Sequence, residues 1–233
     1  AMLNGATLDV AGYDGNRLAV PGLAATNELV VESTMRYSRT GEGLHRFVDP
    51  VDGEVYLYSQ FEVADARRMY ACFEQPDMKA TFSFTVIGPE EWLLLSNQPG
   101  ISREPAGEGI TCVEFATTPR MSTFITCVCA GPWHRVEDHW TSADGVREVP
   151  LALMSRQSLA PHLDSSELFR ITKAGLKHFE AAFGEYVWGK YEQIFVPEYN
   201  LGAMENPGLV TFSERFLFRS VATRAQYQAR ANT

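Results

Sequence analysis

The sequence predicts a mainly β protein, in which an antiparallel β-sandwich is followed by the start of an α/β unit. Up to about residue 154, apolar runs of strand length alternate with Gly, Pro, Asn and Asp, as in short strands joined by turns. After Met154 the apolar period changes from two to about 3.6, which is typical of an amphipathic helix. We therefore expect two domains, residues 1–154 and residues 155–233.

The first domain is expected to contain short strands with hairpin turns between some of them. Asn4-Gly5 and Asp144-Gly145 are dipeptides that favour tight hairpins, because these residue types tolerate positive φ. Cys127 and Cys129 lie two residues apart in a predicted strand, so they would face the same side of a sheet as reduced, buried thiols. The predicted strands are 17–20, 28–38, 55–62, 78–87, 92–96, 110–116, 122–133, 138–141 and 147–153.

The second domain is predicted to begin with a helix. Asp164 can cap this helix with Glu167 three residues later, and Gly184 is placed to end it. One face of the helix would carry Leu168, Ile171, Gly175, Leu176, Phe179 and Phe183.

Two short strands, 193–196 and 209–212, are predicted after the helix, on either side of a loop around Gly202. A polar helical segment follows from about Thr223. It reaches residue 233 without the Gly or Pro that usually ends a helix, so we expect the chain to be part of a longer protein.

Composition limits the classes of function. The 233 residues are 45% hydrophobic and 21% charged, as in a globular protein, and the formal net charge of -9 argues against a nucleic-acid partner. No apolar run has the length of a membrane span, and residues 1–5 lack the character of a secretory signal. We therefore expect no membrane partner and a cytoplasmic location.

The most informative stretch is residues 202–206, which read Gly-Ala-Met-Glu-Asn. It places the carboxylate of Glu205 beside a backbone of small residues. Such an arrangement suits a strand edge that hydrogen-bonds an extended peptide through its main chain and offers an anion to a cation. The alternative is an ordinary glycine-rich loop with a solvated glutamate, since short motifs have a real false-positive rate.

A second candidate site is formed by Gln60 and Glu62. They lie two residues apart, so both side chains leave the same face if the strand continues. Gln60 offers a donor and an acceptor, and Glu62 offers an anion. The alternative for Glu62 is a structural ion pair with Arg67 or Arg68.

These two motifs resemble the M1 (gluzincin) family of zinc aminopeptidases, in which Gly-Ala-Met-Glu-Asn grips the substrate amino terminus. The resemblance extends to residues 67–82, with Arg67-Arg68, Cys72-Phe-Glu-Gln-Pro76 and Lys79-Ala-Thr-Phe82. Residues 41–53 look like the actinobacterial type of this family. The family fold implies a saddle-like β domain, with some of its first strands missing here, before a thermolysin-like catalytic domain.

The resemblance also implies roles for individual residues. Glu205 and Glu62 would hold the free amine of a peptide, whose positive charge would offset the repulsion between the two carboxylates. Gln60 would line the pocket for the first side chain, and Gly202 and Ala203 would align the substrate backbone. Met204 would pack beneath the first residue of the substrate, and Asn206 would brace the loop. Structural support is an equally open alternative for both residues.

One departure concerns the metal. The resemblance implies Zn²⁺ in the intact enzyme, but these 233 residues contain no His-Glu-x-x-His. The zinc ligands, the general base and the oxyanion tyrosine would therefore lie beyond Thr233. We expect no catalytic or metal-binding residue in this chain, no bound zinc and no turnover by the chain alone.

For the intact enzyme we expect peptide substrates with a free amino terminus and a monomeric state. Two other readings are compatible with the sequence. The chain could be a non-catalytic β-sandwich module that binds peptides or other proteins, or a piece of a protein with no independent role.

Overall fold

The computed structural model describes residues 1–233, which form two compact units, residues 1–36 and residues 37–233. The first unit contains a small antiparallel sheet with the order β2-β1-β3. Its strands have two residues each: β1 (Met2–Leu3), β2 (Ala6–Thr7) and β3 (Leu29–Val30).

The turn between β1 and β2 is the one that the sequence predicts. Asn4 and Gly5 have φ values of 51° and 79°, as a two-residue hairpin requires. The strand predicted at 17–20 is wrong, because those residues lie in an irregular segment with no neighbouring strand to pair with. The strand predicted at 28–38 is reduced to Leu29–Val30.

The second unit holds the remaining regular structure. Its helices are α1 (Ser165–Phe183) and α2 (Arg224–Asn232). Its twelve strands are β4 (Gly43–Val48), β5 (Val55–Gln60), β6 (Thr85–Pro89), β7 (Leu93–Ser96), β8 (Gly100–Gly107), β9 (Ile110–Phe115), β10 (Val128–Gly131), β11 (His134–Thr141), β12 (Glu148–Ser155), β13 (Tyr191–Val196), β14 (Ala203–Met204) and β15 (Leu209–Ser213).

Three sheets are stacked in this unit. Two are antiparallel, with the orders β4-β5-β10-β7 and β6-β9-β8. The third has the order β11-β12-β13-β15-β14 and is mixed, since β12, β13 and β15 run parallel to one another. Most of the fold is therefore antiparallel β-structure with few helices, as the sequence predicts.

Alternating side chains on β5 explain the stacking. Tyr56 and Tyr58 point into a core shared with the mixed sheet, together with Cys129 on the neighbouring strand β10 and Cys127 just before it. Leu57, between the two tyrosines, points to the opposite side and into the core beneath the three-stranded sheet. The two cysteines face the same side with their sulfurs 3.9 Å apart, which confirms their predicted orientation.

On its other face the mixed sheet packs against α1. Leu151 and Leu153 of β12 join Leu168 and Leu176 of the helix in one buried cluster. The mixed sheet includes strands from both sides of residue 154, so the predicted domain boundary at this residue falls within the sheet. The division into two domains at residue 154 stays a prediction.

Helix α1 differs in detail from its prediction. Asp164 occupies the N-cap position, but its carboxylate makes no capping bond and instead accepts a hydrogen bond from Arg230 at 3.0 Å. Gly184 ends the helix with φ 86°, as predicted. Phe179 and Phe183 extend the apolar face past the buried cluster, where they are 57% and 84% exposed and stack on each other.

The predicted strands near 55–62, 92–96, 110–116 and 147–153 are confirmed within two residues at each end. Two predictions were too long: 78–87 becomes regular only at Thr85, and 122–133 is interrupted by the 3₁₀ turn Thr123–Ile125. Strands β4 and β8 were missed because charged residues interrupt their apolar pattern.

Helix α2 begins with a capping box, in which the Thr223 and Gln226 side chains each bond the other residue's backbone amide. Neither this helix nor α1 combines the length and the apolar character that a membrane crossing needs.

Candidate functional site

The Gly-Ala-Met-Glu-Asn motif lies at an edge of the mixed sheet. Its second and third residues form β14, which pairs antiparallel with β15 through Ala203 opposite Phe212 and Met204 opposite Thr211. The amide of Ser213 also donates to the Gly202 carbonyl at 2.9 Å. Strand β14 is the last in the sheet order, so its outer edge is free. Main-chain groups on a free edge can hydrogen-bond an added strand.

Four side chains connect this edge to the end of β5. The Tyr199 hydroxyl donates to Oε1 of Gln60 at 3.1 Å and lies 2.7 Å from Oγ1 of Thr211. Nδ2 of Asn206 in turn donates to Oγ1 of Thr211 at 3.3 Å. Gln60, Thr211 and Asn206 are all at most 3% exposed. The structure thus joins the two motifs, although Gln60 and Asn206 are 146 residues apart in the sequence.

The tyrosine at the centre of this chain stays protonated. Burial raises the pKa of Tyr199 far above its usual value, and the nearby charge of Glu62 adds to this effect. The hydroxyl can therefore donate to Gln60 while accepting from Thr211, so each buried oxygen has a partner.

The two candidate carboxylates differ from these buried groups. Glu62 and Glu205 are both exposed, and neither accepts a hydrogen bond nor forms an ion pair with another side chain. The ion pair considered for Glu62 is not formed: Arg68 pairs with Glu42 and Asp65, and the carboxylate of Glu74 accepts from the backbone of Arg67. Both carboxylates are free to meet a cation from solvent.

The remaining motif residues have different surroundings. Met204 is 4% exposed, so its side chain lies inside the protein, beneath the strand edge. Ala203 is partly buried against the core that includes α1. Gly202 lies close to an arginine, because Nη2 of Arg215 is 3.0 Å from the position that a Cβ would occupy. The substrate roles of Gly202, Ala203 and Met204 stay predictions.

A buried asparagine holds the end of the motif in place. Asn97 is fully buried, and its Nδ2 donates to the carbonyls of Ile125 and Pro207 at 3.0 and 2.9 Å. Gly208 approaches it so closely that a Cβ would lie 2.0 Å from the Asn97 carbonyl oxygen, and its φ is +77°. Glycine is therefore required at residue 208. The turn dipeptide Pro207-Gly208 is the sequence signal for this feature, and Asn97 has none.

The loop that leads into β14 rests on a buried histidine. The amide of Gly41 donates to Nδ1 of His45 at 3.0 Å, so Nε2 carries the hydrogen and donates to Glu198 at 3.0 Å. Burial lowers the pKa of His45, and this outweighs the opposite effect of Glu198. The ring is therefore neutral near pH 7. Tyr58 adds a hydrogen bond to the Glu198 carbonyl at 3.3 Å.

No group of three His, Cys, Asp or Glu side chains in this chain is arranged as metal ligands. The residues present therefore do not fit a zinc ion, and no chemical step of a metal can be assigned to them.

Comparisons with known proteins identify the class. Residues 23–125 match the family model described as Peptidase M1 N-terminal domain, and residues 168–233 match the Peptidase family M1 domain. The chain therefore belongs to the M1 peptidase family.

Individual relatives are similar over different lengths. Aminopeptidase N of Streptomyces lividans is 49% identical over 234 residues, which cover 99% of this chain and 26% of that protein. Aminopeptidase N of Acetobacter pasteurianus is 36% identical over 69% of this chain and 44% of its own length. Aminopeptidase N of Oryctolagus cuniculus is 34% identical over 70% of this chain and 17% of its own length. The chain thus spans about a quarter of the Streptomyces relative and less than half of the others.

Proposed function

We propose that this chain is the amine-binding part of a zinc-dependent aminopeptidase that removes residues from the amino termini of peptides. The observation that carries the proposal is the exposed, unpartnered Glu205 at the end of a free strand edge. The edge can hydrogen-bond the peptide backbone while the carboxylate binds the terminal ammonium. The family membership and the names of the relatives support the same reaction.

In this proposal Glu62 supplies the second carboxylate. A peptide ammonium has three N–H donors, so it can bind both carboxylates at once. The hydrogen-bonded chain from Gln60 through Tyr199 to Asn206 fixes the end of β5 against the motif loop. Buried groups with satisfied hydrogen bonds hold a site rigid. The backbone beside each carboxylate is thereby held in place, and neither carboxylate has a protein cation to neutralise it.

The zinc ion belongs to another part of the whole protein, since the residues of this chain do not fit it. When bound there, it would supply Lewis-acid activation of the scissile carbonyl and of water. The role proposed for this chain is to place the first peptide bond at a fixed distance from the amine, which limits cleavage to the first residue.

The test is the Glu205→Ala variant of the whole protein, assayed on an aminoacyl substrate with a free amine. We expect kcat/KM to fall by about thirty-fold or more, as when one partner of a desolvated charge pair is lost. Glu108→Ala is the matched control, because Glu108 is an exposed glutamate in the turn between β8 and β9. The zinc content should be the same in both variants. An unchanged kcat/KM for Glu205→Ala would refute the assignment.

A non-catalytic peptide-binding module would also use the free edge of β14. Titration of the 233-residue chain with a short peptide separates the two functions. A module should bind it tightly without further domains, whether the amino terminus is free or acetylated. The proposed half-site should bind weakly and only the free amine.

A further inference from the structure

Beside the motif lies an open cleft of about 690 Å³. It is at the Gly202 end of β14, whereas Glu205 is at the other end. Residues from the loop before β14 and from the segment after β15 line it, among them Tyr199, Asn200 and Arg215. Any peptide that runs along the edge from Glu205 toward Gly202 is directed into this cleft.

Three arginines and two glutamates line the cleft, so its charge is slightly positive although the chain carries a net charge of -9. The carboxylate of one of these glutamates, Glu198, bonds only to His45 and keeps its negative charge. The carboxylate of Glu214 is already bound by Arg156 at 2.9 Å on both oxygens and by Arg219 at 3.1 Å. By contrast, Arg39 and Arg215 also line the cleft but form no ion pair. Their guanidinium groups are free to bind a carboxylate.

Arg215 is the better placed of these two arginines. Its Nη2 lies 3.0 Å from the position of a Cβ at Gly202, so the guanidinium covers the start of the motif. Its charged group also stacks at 5.1 Å over the ring of Phe216, which restricts its orientation.

The spacing along the strand gives the position of the ligand group. In an antiparallel pairing, a peptide with its ammonium at Glu205 advances about 3.4 Å per residue toward Gly202. Gly202 is three residues from Glu205, so this distance is roughly 10 Å along an extended peptide. Three residues span this distance, so the carboxyl end of the third residue lies beside Arg215.

We propose that Arg215, assisted by Arg39, binds a carboxylate at the third residue of the peptide. This inference rests on the proposed function. The carboxylate is either the side chain of an acidic third residue or the carboxyl terminus of a tripeptide. Arg215 is thus a specificity-determining residue, and the preferred substrates are tripeptides and peptides with Asp or Glu at the third position.

The test compares pairs of substrates on the whole protein. One pair is a tripeptide with a free carboxyl terminus and the same tripeptide as its amide. The other pair is a tetrapeptide amide with Glu at the third position and its Gln counterpart. We expect kcat/KM to be about five-fold higher for the charged member of at least one pair, mainly through KM, and the difference to shrink at high ionic strength.

Arg215→Gln should abolish this preference. The Arg170→Gln control should keep it, because Arg170 lies on α1 and pairs only with Glu167. A substrate that consists of one residue and its leaving group does not reach the cleft. The Arg215→Gln variant should therefore cleave such a substrate with the same kcat/KM as the wild type.

The outcomes separate the two proposals. If the wild type shows no preference in either pair, or if Arg215→Gln keeps it, the carboxylate subsite is refuted even though Glu205 still governs cleavage. If Arg215→Gln slows all substrates equally, the residue has only a structural role and the subsite is again refuted. If the protein cleaves no aminoacyl substrate, the proposed function itself fails.

Discussion

Two groups of acidic residues in this chain differ in whether they have charged partners. Around Arg156, which is 5% exposed, Asp49 and Glu214 are both paired with the guanidinium, and Ser158 also donates to Asp49. At the motif, Glu62 and Glu205 are exposed and have no partner. Because a folded chain usually pairs the charges that it buries, the first group serves the structure. The second group is available for a ligand.

The pKa of Asp49 reflects this difference. Burial raises it, but hydrogen bonds from Ser158, the Val51 amide and Arg156 outweigh burial and lower the pKa below its usual value. The carboxylate is therefore held in its charged form by groups that the fold provides.

The largest loss of stability is expected when the buried ion pairs of Arg156 are removed. Arg156→Met leaves the charge of Asp49 buried without its cation, which should lower the free energy of unfolding by about 3–5 kcal/mol. Urea unfolding of the chain measures this change, and the double variant with Asp49→Asn should recover part of it. Glu205→Gln is the comparison at the motif and should change stability by less than about 0.5 kcal/mol. The comparison fails if the two single variants are equally stable.

A smaller effect is expected at the chain of hydrogen bonds that supports the motif. Tyr199→Phe leaves the buried Gln60 and Thr211 each without one partner, so stability should fall by about 1–3 kcal/mol. Thermal unfolding measures it, and Tyr37→Phe is the control because Tyr37 is 55% exposed. A loss no larger than in Tyr37→Phe would show that the chain of hydrogen bonds does not hold the site.

The smallest change in stability is expected from the titration of His45. Its folded-state pKa is lowered by burial, so the unfolded state binds the proton more readily. Its contribution to stability is therefore complete above about pH 6.5, the unfolded pKa, and is lost as the pH falls toward the folded value. Because one proton is involved, the free energy of unfolding should change by at most about 1.4 kcal/mol per pH unit.

Urea midpoints between neutral and mildly acidic pH test this expectation. The His45→Gln variant should be less stable at neutral pH but should have a flatter pH profile than the wild type. An equal slope in both proteins would assign the pH dependence to other groups.

Much of the fold could be predicted from local signals in the sequence. The hairpin at Asn4-Gly5 and the end of α1 at Gly184 follow from positive φ, which is a property of single residues. The shared face of Cys127 and Cys129 follows from the period of a strand. The missed strand β4 includes His45 and Arg46, whose polarity hides the pattern, and His45 is nevertheless fully buried.

The site was predicted less completely than the fold. Gln60, Glu62 and residues 202–206 were proposed from their motifs, and their substrate roles stay predictions. The structure does link Gln60 with Asn206. Tyr199 and Thr211, which make that link, were missed because a buried tyrosine or threonine has no local signature. Asp164 was expected to cap α1, but it bonds a residue 66 positions away instead.

The sequence by itself determined most of the secondary structure, the family and the motif residues, because these depend on neighbours along the chain. Only the tertiary structure decided which carboxylates have partners. Glu62 has two arginines nearby in the sequence, yet neither pairs with it: Arg68 binds Glu42 and Asp65 instead. By contrast, Asp49 meets Arg156 across 107 residues. Ion pairs depend on distances in space, and the packing of three sheets sets those distances.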